Sequence, residues 1–189
     1  MAKALEDMSL QELWRLFPIA LVDHDPRWAD WYAQEAAEVR ALLPADQVVR
    51  LSHIGSTVIP DIKAKAIVDM LLEVPEASCL QPVADVLAAH GWICMSQSET
   101  RISLNKGYTP QGFAERVFHL HVRVAGDNDE LYFRDYLLEH PAVAKRYEDL
   151  KLSLAGPYEH NRDGYTAAKT DFIARYTQAA KEAFPKRYE

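Results

Sequence analysis

Two stretches joined by a short loop decide the fold: His53-Ile-Gly-Ser-Thr57 and Ala66-Ile-Val-Asp-Met-Leu-Leu-Glu-Val74. The second is a near-continuous apolar run with one acid, Asp69, in its middle. Such a run reads as a central strand covered on both faces. Upstream, Val48 to Ile54 reads as a strand with Val49, Leu51 and His53 on one face. Gly55-Ser56-Thr57 breaks that strand. A glycine there lets the backbone approach a ligand closely, so that N–H groups and the hydroxyls of Ser56 and Thr57 can hold a phosphate oxygen. Lys65 brings a cation to the same place. An ionised Asp69 inside an apolar strand is costly unless a metal, a cation or N–H donors pair with it. Plainer readings stay open: an ordinary turn, a solvated loop carrying Lys63 and Lys65, and a hydrogen-bonded structural acid.

Outward from this centre, Ser9-Leu10-Gln11-Glu12 is a capping-box pattern and predicts a short helix to about Leu16. Asp25-Pro26 starts a second helix, whose Trp28, Trp31, Tyr32, Ala36, Val39 and Leu43 recur at three and four residues. Gln81 to His90 reads as a helix ended by Gly91. Trp92 to Ser96, Arg101 to Asn105 and Val117 to Val124 read as strands. Helices follow at Leu131 to His140, from Pro141 to about Gly156, and from Arg162 to Ala183. No repeat or flexible linker divides the chain, so one domain spanning 1–189 is expected, with a short N-terminal helical extension. The order of elements predicts an α+β fold, a mixed sheet flanked by helices with a helical C-terminal tail.

In Phe118-His119-Leu120-His121-Val122, alternation puts His119 and His121 on one face, about 6.6 Å apart along a strand. Two imidazoles so placed can share a metal or a phosphate. The alternative is one core or functional histidine beside a bystander. In the tail, Arg134 sits in a helix otherwise turned to the core and should need a partner, while Tyr165 and Lys169 share a face. Surface ion pairing is the competing reading for Arg134, Lys151 and Lys169.

Composition narrows the classes. Of 189 residues, 49% are hydrophobic and 26% charged, which fits a globular chain and excludes a disordered or collagen-like one. The net charge of −7 argues against a nucleic-acid partner, which needs clustered Lys and Arg. No stretch approaches the roughly 20 apolar residues of a membrane span, and Met1 to Leu10 lacks the apolar segment of a signal peptide. A cytoplasmic protein with two buried thiols, Cys79 and Cys94, is therefore expected. Phosphate-loop, dinucleotide and metalloprotease signatures are absent.

Taken together, His53-Ile-Gly-Ser-Thr-Val-Ile-Pro60, Ala64-Lys65, Ile67-Val-Asp69, His119-Leu-His121, Phe133-Arg-Asp-Tyr-Leu137 and Tyr165-Thr-Ala-Ala-Lys169 resemble the GrpB family, small bacterial proteins mostly of unknown function. Val22 with Asp25-Pro-Arg-Trp28 also fits, so the likeness covers about residues 19 to 183. Asp61 stands where the family usually has Gly, and Ala66 where it usually has Pro. Some members are fused to dephospho-CoA kinase, a portion this chain lacks. The resemblance implies a nucleotidyltransferase-like fold, with Gly55-Ser56 at the phosphate turn and Asp69 on the metal-binding strand. Active enzymes of that fold carry a second acid two residues after the first, where this chain has Leu71. Glu73 lies about 13 Å along the strand from Asp69, too far to share an ion.

The expected ligand is a nucleotide or other phosphate-containing small molecule. His53, Gly55, Ser56, Thr57, Lys65, Arg134 and Lys169 would hold phosphate. Asp69, His119 and His121 would act as catalytic groups or bind one divalent metal ion. One acid and two imidazoles suit a single transition metal better than paired magnesium. Three functions remain open: a nucleotidyl or phosphate-ester transferase, an inactive binding module of the same fold, or a protein-interaction role of the helical tail.

Overall fold

The computed structural model describes residues 3–189; Met1 and Ala2, part of the stretch read for a leader, lie outside the described residues. Five strands form one sheet, in the order β1 (Arg50–Ile54), β2 (Val68–Val74), β5 (Gly112–Val124), β4 (Arg101–Thr109), β3 (Ile93–Gln97). β2 and β5 run parallel at its centre, and the other neighbours are antiparallel. The helices are α1 (Leu10–Leu16), α2 (Arg27–Leu42), α3 (Leu80–Ala88), α4 (Asp129–Glu139), α5 (Pro141–Ala155), α6 (Arg162–Ala167) and α7 (Thr170–Ala183). This is the α+β mixed sheet flanked by helices, with a helical C-terminal tail, that the sequence predicts. No helix among the described residues is long and apolar enough to cross a membrane.

The alternation within β2 and β5 divides the molecule. Met70, Leu72, Leu120 and Val122 turn to one face, where Trp28 and Val39 of α2 and Val83 and Leu87 of α3 close over them. Burial of each such side chain contributes about 1.5–3 kcal/mol. On the other face Ile54 and Leu71 meet Leu131 of α4. Farther out, Leu137, Val143, Tyr147 and Tyr176 of the tail helices pack with Ile59 and Ile62 of the β1–β2 loop. The capping box is formed at Ser9 and Glu12.

Three details depart from the sequence reading. β5 starts at Gly112 rather than Val117, because Phe113 pairs with Tyr108 and packs against Tyr108 and Phe17, so the β4–β5 hairpin is longer. The hairpin carries a bulge at Gly107 (φ +90°), where a Cβ would lie 2.2 Å from the Arg116 carbonyl oxygen. The single helix expected over 162–183 is two, α6 and α7. The apolar spacing runs unbroken through the break, which packs Tyr165 inward and sets Lys169 Nζ 4.3 Å from its ring centre. Cys79 and Cys94 are both free, but Cys94 is exposed, because β3 is an edge strand open along its length.

Glu73 has a structural role. It is buried at 1% exposure, accepts hydrogen bonds from Gly126 N (3.0 Å) and Asn128 Nδ2 (2.9 Å), and pairs with Arg50 at 2.9 Å. It ties β1 and β2 to the loop that launches α4. Glu73→Ala strands Arg50 and Asn128 and should lower the unfolding free energy by about 3–5 kcal/mol in a urea titration. A loss below about 1 kcal/mol would show that this link does not hold the sheet to the tail.

Candidate functional site

Parallel pairing of β2 with β5 sets Asp69 opposite His119 and Leu71 opposite His121, while antiparallel pairing sets Asp69 opposite Ile54 of β1. The turn after Ile54 therefore folds directly against Asp69. Gly55 has φ +74°, and a Cβ there would lie 2.4 Å from Asp69 Oδ2. Only glycine meets both demands.

His119 is buried and bonded at both ring nitrogens. Nδ1 lies 3.1 Å from Asp69 Oδ1, and Nε2 lies 2.8 Å from both the Tyr108 hydroxyl and Arg162 Nη2. Arg162 Nη1 also donates to the Tyr108 oxygen at 2.8 Å. A guanidinium can only donate, so we assign Nε2 as acceptor and Nδ1–H as donor to Asp69. Burial pushes the His119 pKa down to about 4 against the pull of Asp69, so the ring is neutral at pH 7. His121 Nε2 is 3.9 Å from Asp69 Oδ1, and Arg123 Nη2 lies 3.3 Å from its Nδ1. Burial opposes the Asp69 charge, but the two histidines outweigh it and hold the carboxyl well below the usual range.

Above Asp69, between the sheet and the tail helices, lies a cavity of about 800 Å³. Gly55, Ser56, Thr57, Ile67, Phe133, Leu137 and Ile173 contribute to its wall. Seven cationic side chains face it: Lys65, Arg101, Arg134, Lys151, Arg162, Lys169 and Lys181. Three carboxylates oppose them, Asp69, Asp129 and Glu130. Arg101, Arg134 and Lys181 pair with Asp127, Asp135 and Asp129, and Glu130 lies 3.7 Å from Arg123, which leaves Lys65, Lys151, Arg162 and Lys169 around Asp69 and makes this part of the hollow positive in a chain of net charge −7. Lys65 and Lys169 flank the Tyr165 ring at 5.7 and 4.3 Å, and Lys151 lies 5.1 Å from the Tyr147 ring centre. Burial, then the neighbouring cations, lower Lys65 and Lys151 to about 7 and Lys169 to about 8. The low polarity around Tyr165 pushes its phenol up to about 12.

Of the residues singled out in the sequence, Gly55, Ser56, Thr57, Lys65, Asp69, His119, His121, Arg134 and Lys169 all reach this cavity. Three hold it from behind. His53 does not line it: the ring is buried, stacked 4.8 Å from Tyr32, bonded through Nε2 to Thr57 Oγ1 at 2.9 Å, and kept neutral by burial at about 4. Thr57 thus spends its hydroxyl on His53. Arg134 is occupied by the His53 carbonyl (3.0 Å), Asp135 and the Tyr188 hydroxyl, and braces the turn. Lys63 pairs with Asp23. The sequence reading missed Arg162 and Tyr108 as members of the site. Neither belongs to a spacing pattern, and an Arg opening a helix looks like a surface charge.

The donor set does not fit a resident metal ion. Among the described residues no three His, Cys, Asp or Glu side chains are grouped to hold one. Both nitrogens of His119 are committed to other partners, Arg162 covers its Nε2, and Lys65 and Lys169 stand in the field of Asp69. Leu71, two residues after Asp69 on the same face of β2, offers no oxygen to an ion.

The family model described as GrpB protein matches residues 18–179. The chain is similar to UPF0157 protein YqkA of Bacillus subtilis, with 29% identity over 91% of this chain and 51% of that protein. It is also similar to UPF0157 protein PA4798 of Pseudomonas aeruginosa, with 34% identity over 83% of this chain and 65% of the relative. It therefore spans about half to two thirds of the length of these curated relatives. The crystal structure of conserved protein GrpB from Enterococcus faecalis overlays with a TM-score of 0.75 at 27% identity, covering 87% of this chain and 99% of that one. The match spans the Gly-Ser turn, the acidic strand, the paired histidines and the Tyr165–Lys169 segment alike, and by it the chain belongs to the GrpB family.

Proposed function

We propose that this protein binds a nucleotide or another small phosphorylated molecule in the cavity between its sheet and its tail helices. One observation carries the reading: a buried lysine, Lys151, two half-buried ones, Lys65 and Lys169, and Arg162 converge on a roomy hollow with too few carboxylates to neutralise them. Partly desolvated ammonium groups are costly without an anion, and a phosphate oxygen supplies one. Ser56 and the backbone at Gly55 offer further donors at the same wall. The resemblance to nucleotidyltransferases points the same way, toward a ligand whose phosphates meet the turn after β1. A transfer reaction finds less support, since His119 is a weak base at a pKa of about 4 and its Nε2 is covered by Arg162.

Two outcomes follow. Lys169→Gln removes a half-buried charge, so the empty protein should melt at the same temperature or higher. Its affinity for nucleoside triphosphates by calorimetry should nonetheless fall at least about tenfold, the equivalent of about 1.4 kcal/mol. A variant that binds as well as the parent would contradict the reading.

The pH dependence has opposite signs for binding and for stability. An anion favours protonated Lys65, Lys151 and Lys169. Binding should therefore take up protons and weaken as pH rises through the interval set by their values of about 7 to 8. Unfolded lysines keep their protons up to about 10.4, so the folded state binds fewer protons above pH 7, and these groups make the empty protein more stable as pH rises. Calorimetry in buffers of different ionisation enthalpy checks the uptake. An affinity that stays flat from about pH 6.5 to 9 would count against the site.

A further inference from the structure

Resting on the phosphate reading, we infer that the cavity takes a ligand with two or more linked phosphates, and takes it free of divalent metal. Lysines and Arg162 then supply the positive charge that magnesium supplies to nucleotides elsewhere.

The first support is the number of cations that line one cavity: Lys65, Lys151, Arg162 and Lys169. Lys65 stands in the field of Arg162, Lys169 and Lys151; Lys169 in that of Arg162; and Lys151 in that of Lys169. Four positive groups thus crowd one hollow. Asp69 is the carboxylate that favours the charge of Lys65 and Lys169. Glu148, which favours Lys151, is already engaged by Lys145 and the Lys63 backbone N–H. A terminal phosphoryl group carries about −1.5 to −2 and three acceptor oxygens. One such group leaves part of the cluster unpaired; a linked pair matches it.

The second support is the layout. The cations occupy two seats: Lys65 and Lys169 on the Tyr165 ring, and Lys151 on the Tyr147 ring. Arg162 reaches in from the start of α6, anchored on Tyr108 and His119. Two seats suit two phosphoryl groups better than one.

The third support is what the hollow offers a divalent ion. Magnesium asks for oxygen ligands and is commonly held by one or two carboxylates. Here Asp69 Oδ1 is taken by the His119 N–H, Oδ2 lies against Gly55, and the other two carboxylates on the cavity wall, Asp129 and Glu130, lie against Lys181 and Arg123. Lys65, Lys169 and Arg162 would repel the ion from the same carboxylate.

Titration calorimetry on the full chain with inorganic pyrophosphate and with orthophosphate, first in EDTA and then in excess magnesium chloride, tests this. Pyrophosphate in EDTA should bind at least about tenfold more tightly than orthophosphate. Excess magnesium should weaken it by competing for the same oxygens. Equal affinities for the two anions, or pyrophosphate binding only when magnesium is present, would overturn the inference while leaving a phosphate site in place. Failure of both anions and of nucleoside triphosphates in either condition would overturn it together with the phosphate reading.

Discussion

Asp69 lies opposite His119 because β2 and β5 pair in parallel, and a one-residue slip of either strand would carry its side chain to the other face of the sheet. That register puts Val68, Met70 and Leu72 under α2 and α3 and leaves Asp69, Leu71 and Glu73 for the tail side. The three then divide their work. Leu71 joins the small apolar cluster with Ile54 and Leu131, Glu73 anchors the loop into α4, and Asp69 alone faces open space. The Gly55 turn is fixed by the same register, since it must pass against the Asp69 carboxylate.

From this anchor the electrostatics build outward in layers. Asp69 holds the Nδ1–H of His119, which leaves Nε2 to accept from Tyr108 and Arg162. A carboxylate on β2 thereby positions an arginine that begins α6, more than ninety residues later in the chain. The remaining cations stand off Asp69 on two tyrosine rings, whose faces partly replace the lost water. His53, Thr57 and Arg134 form a separate brace behind the turn, built of neutral or internally paired groups. Charge behind the wall is neutralised by carboxylates, whereas in front of it Lys151 donates to the Lys63 carbonyl and Arg162 to Tyr108 and His119, neutral acceptors that leave the cavity its sign.

How much of this was legible in the sequence depends on how local each signal is. The apolar run around Asp69 and the alternation through His119 and His121 are period-2 patterns, and they announce both strands and their shared face. The turn at Gly55 is a local breaker and is equally plain. The tail helices show themselves by spacing, but the break at Lys169 does not, because Tyr165, Phe172 and Tyr176 keep helical intervals across it. Arg162 and Tyr108 were invisible, since their role arises from a contact between α6 and the β4–β5 hairpin. The place of His53 beside the turn suggests a phosphate ligand, but its face of β1 is turned to Tyr32 and buried, so the ring braces the turn. Asp69, His119 and His121 do converge, as the spacing suggested. Their nitrogens are turned to protein partners, a matter of rotamer that spacing cannot reveal.

The claim on which the account rests is that lysine ammonium groups in the cavity are held partly out of water for an anion. The most direct measurement is a pH titration of the lysine Nζ resonances by NMR, in the empty protein and with a saturating phosphate ligand. The account predicts that Lys65 and Lys151 titrate near 7 and Lys169 near 8 in the empty protein, and that all three move upward when the anion is added. Titration of all three at the ordinary 10.5, unchanged by the anion, would contradict it.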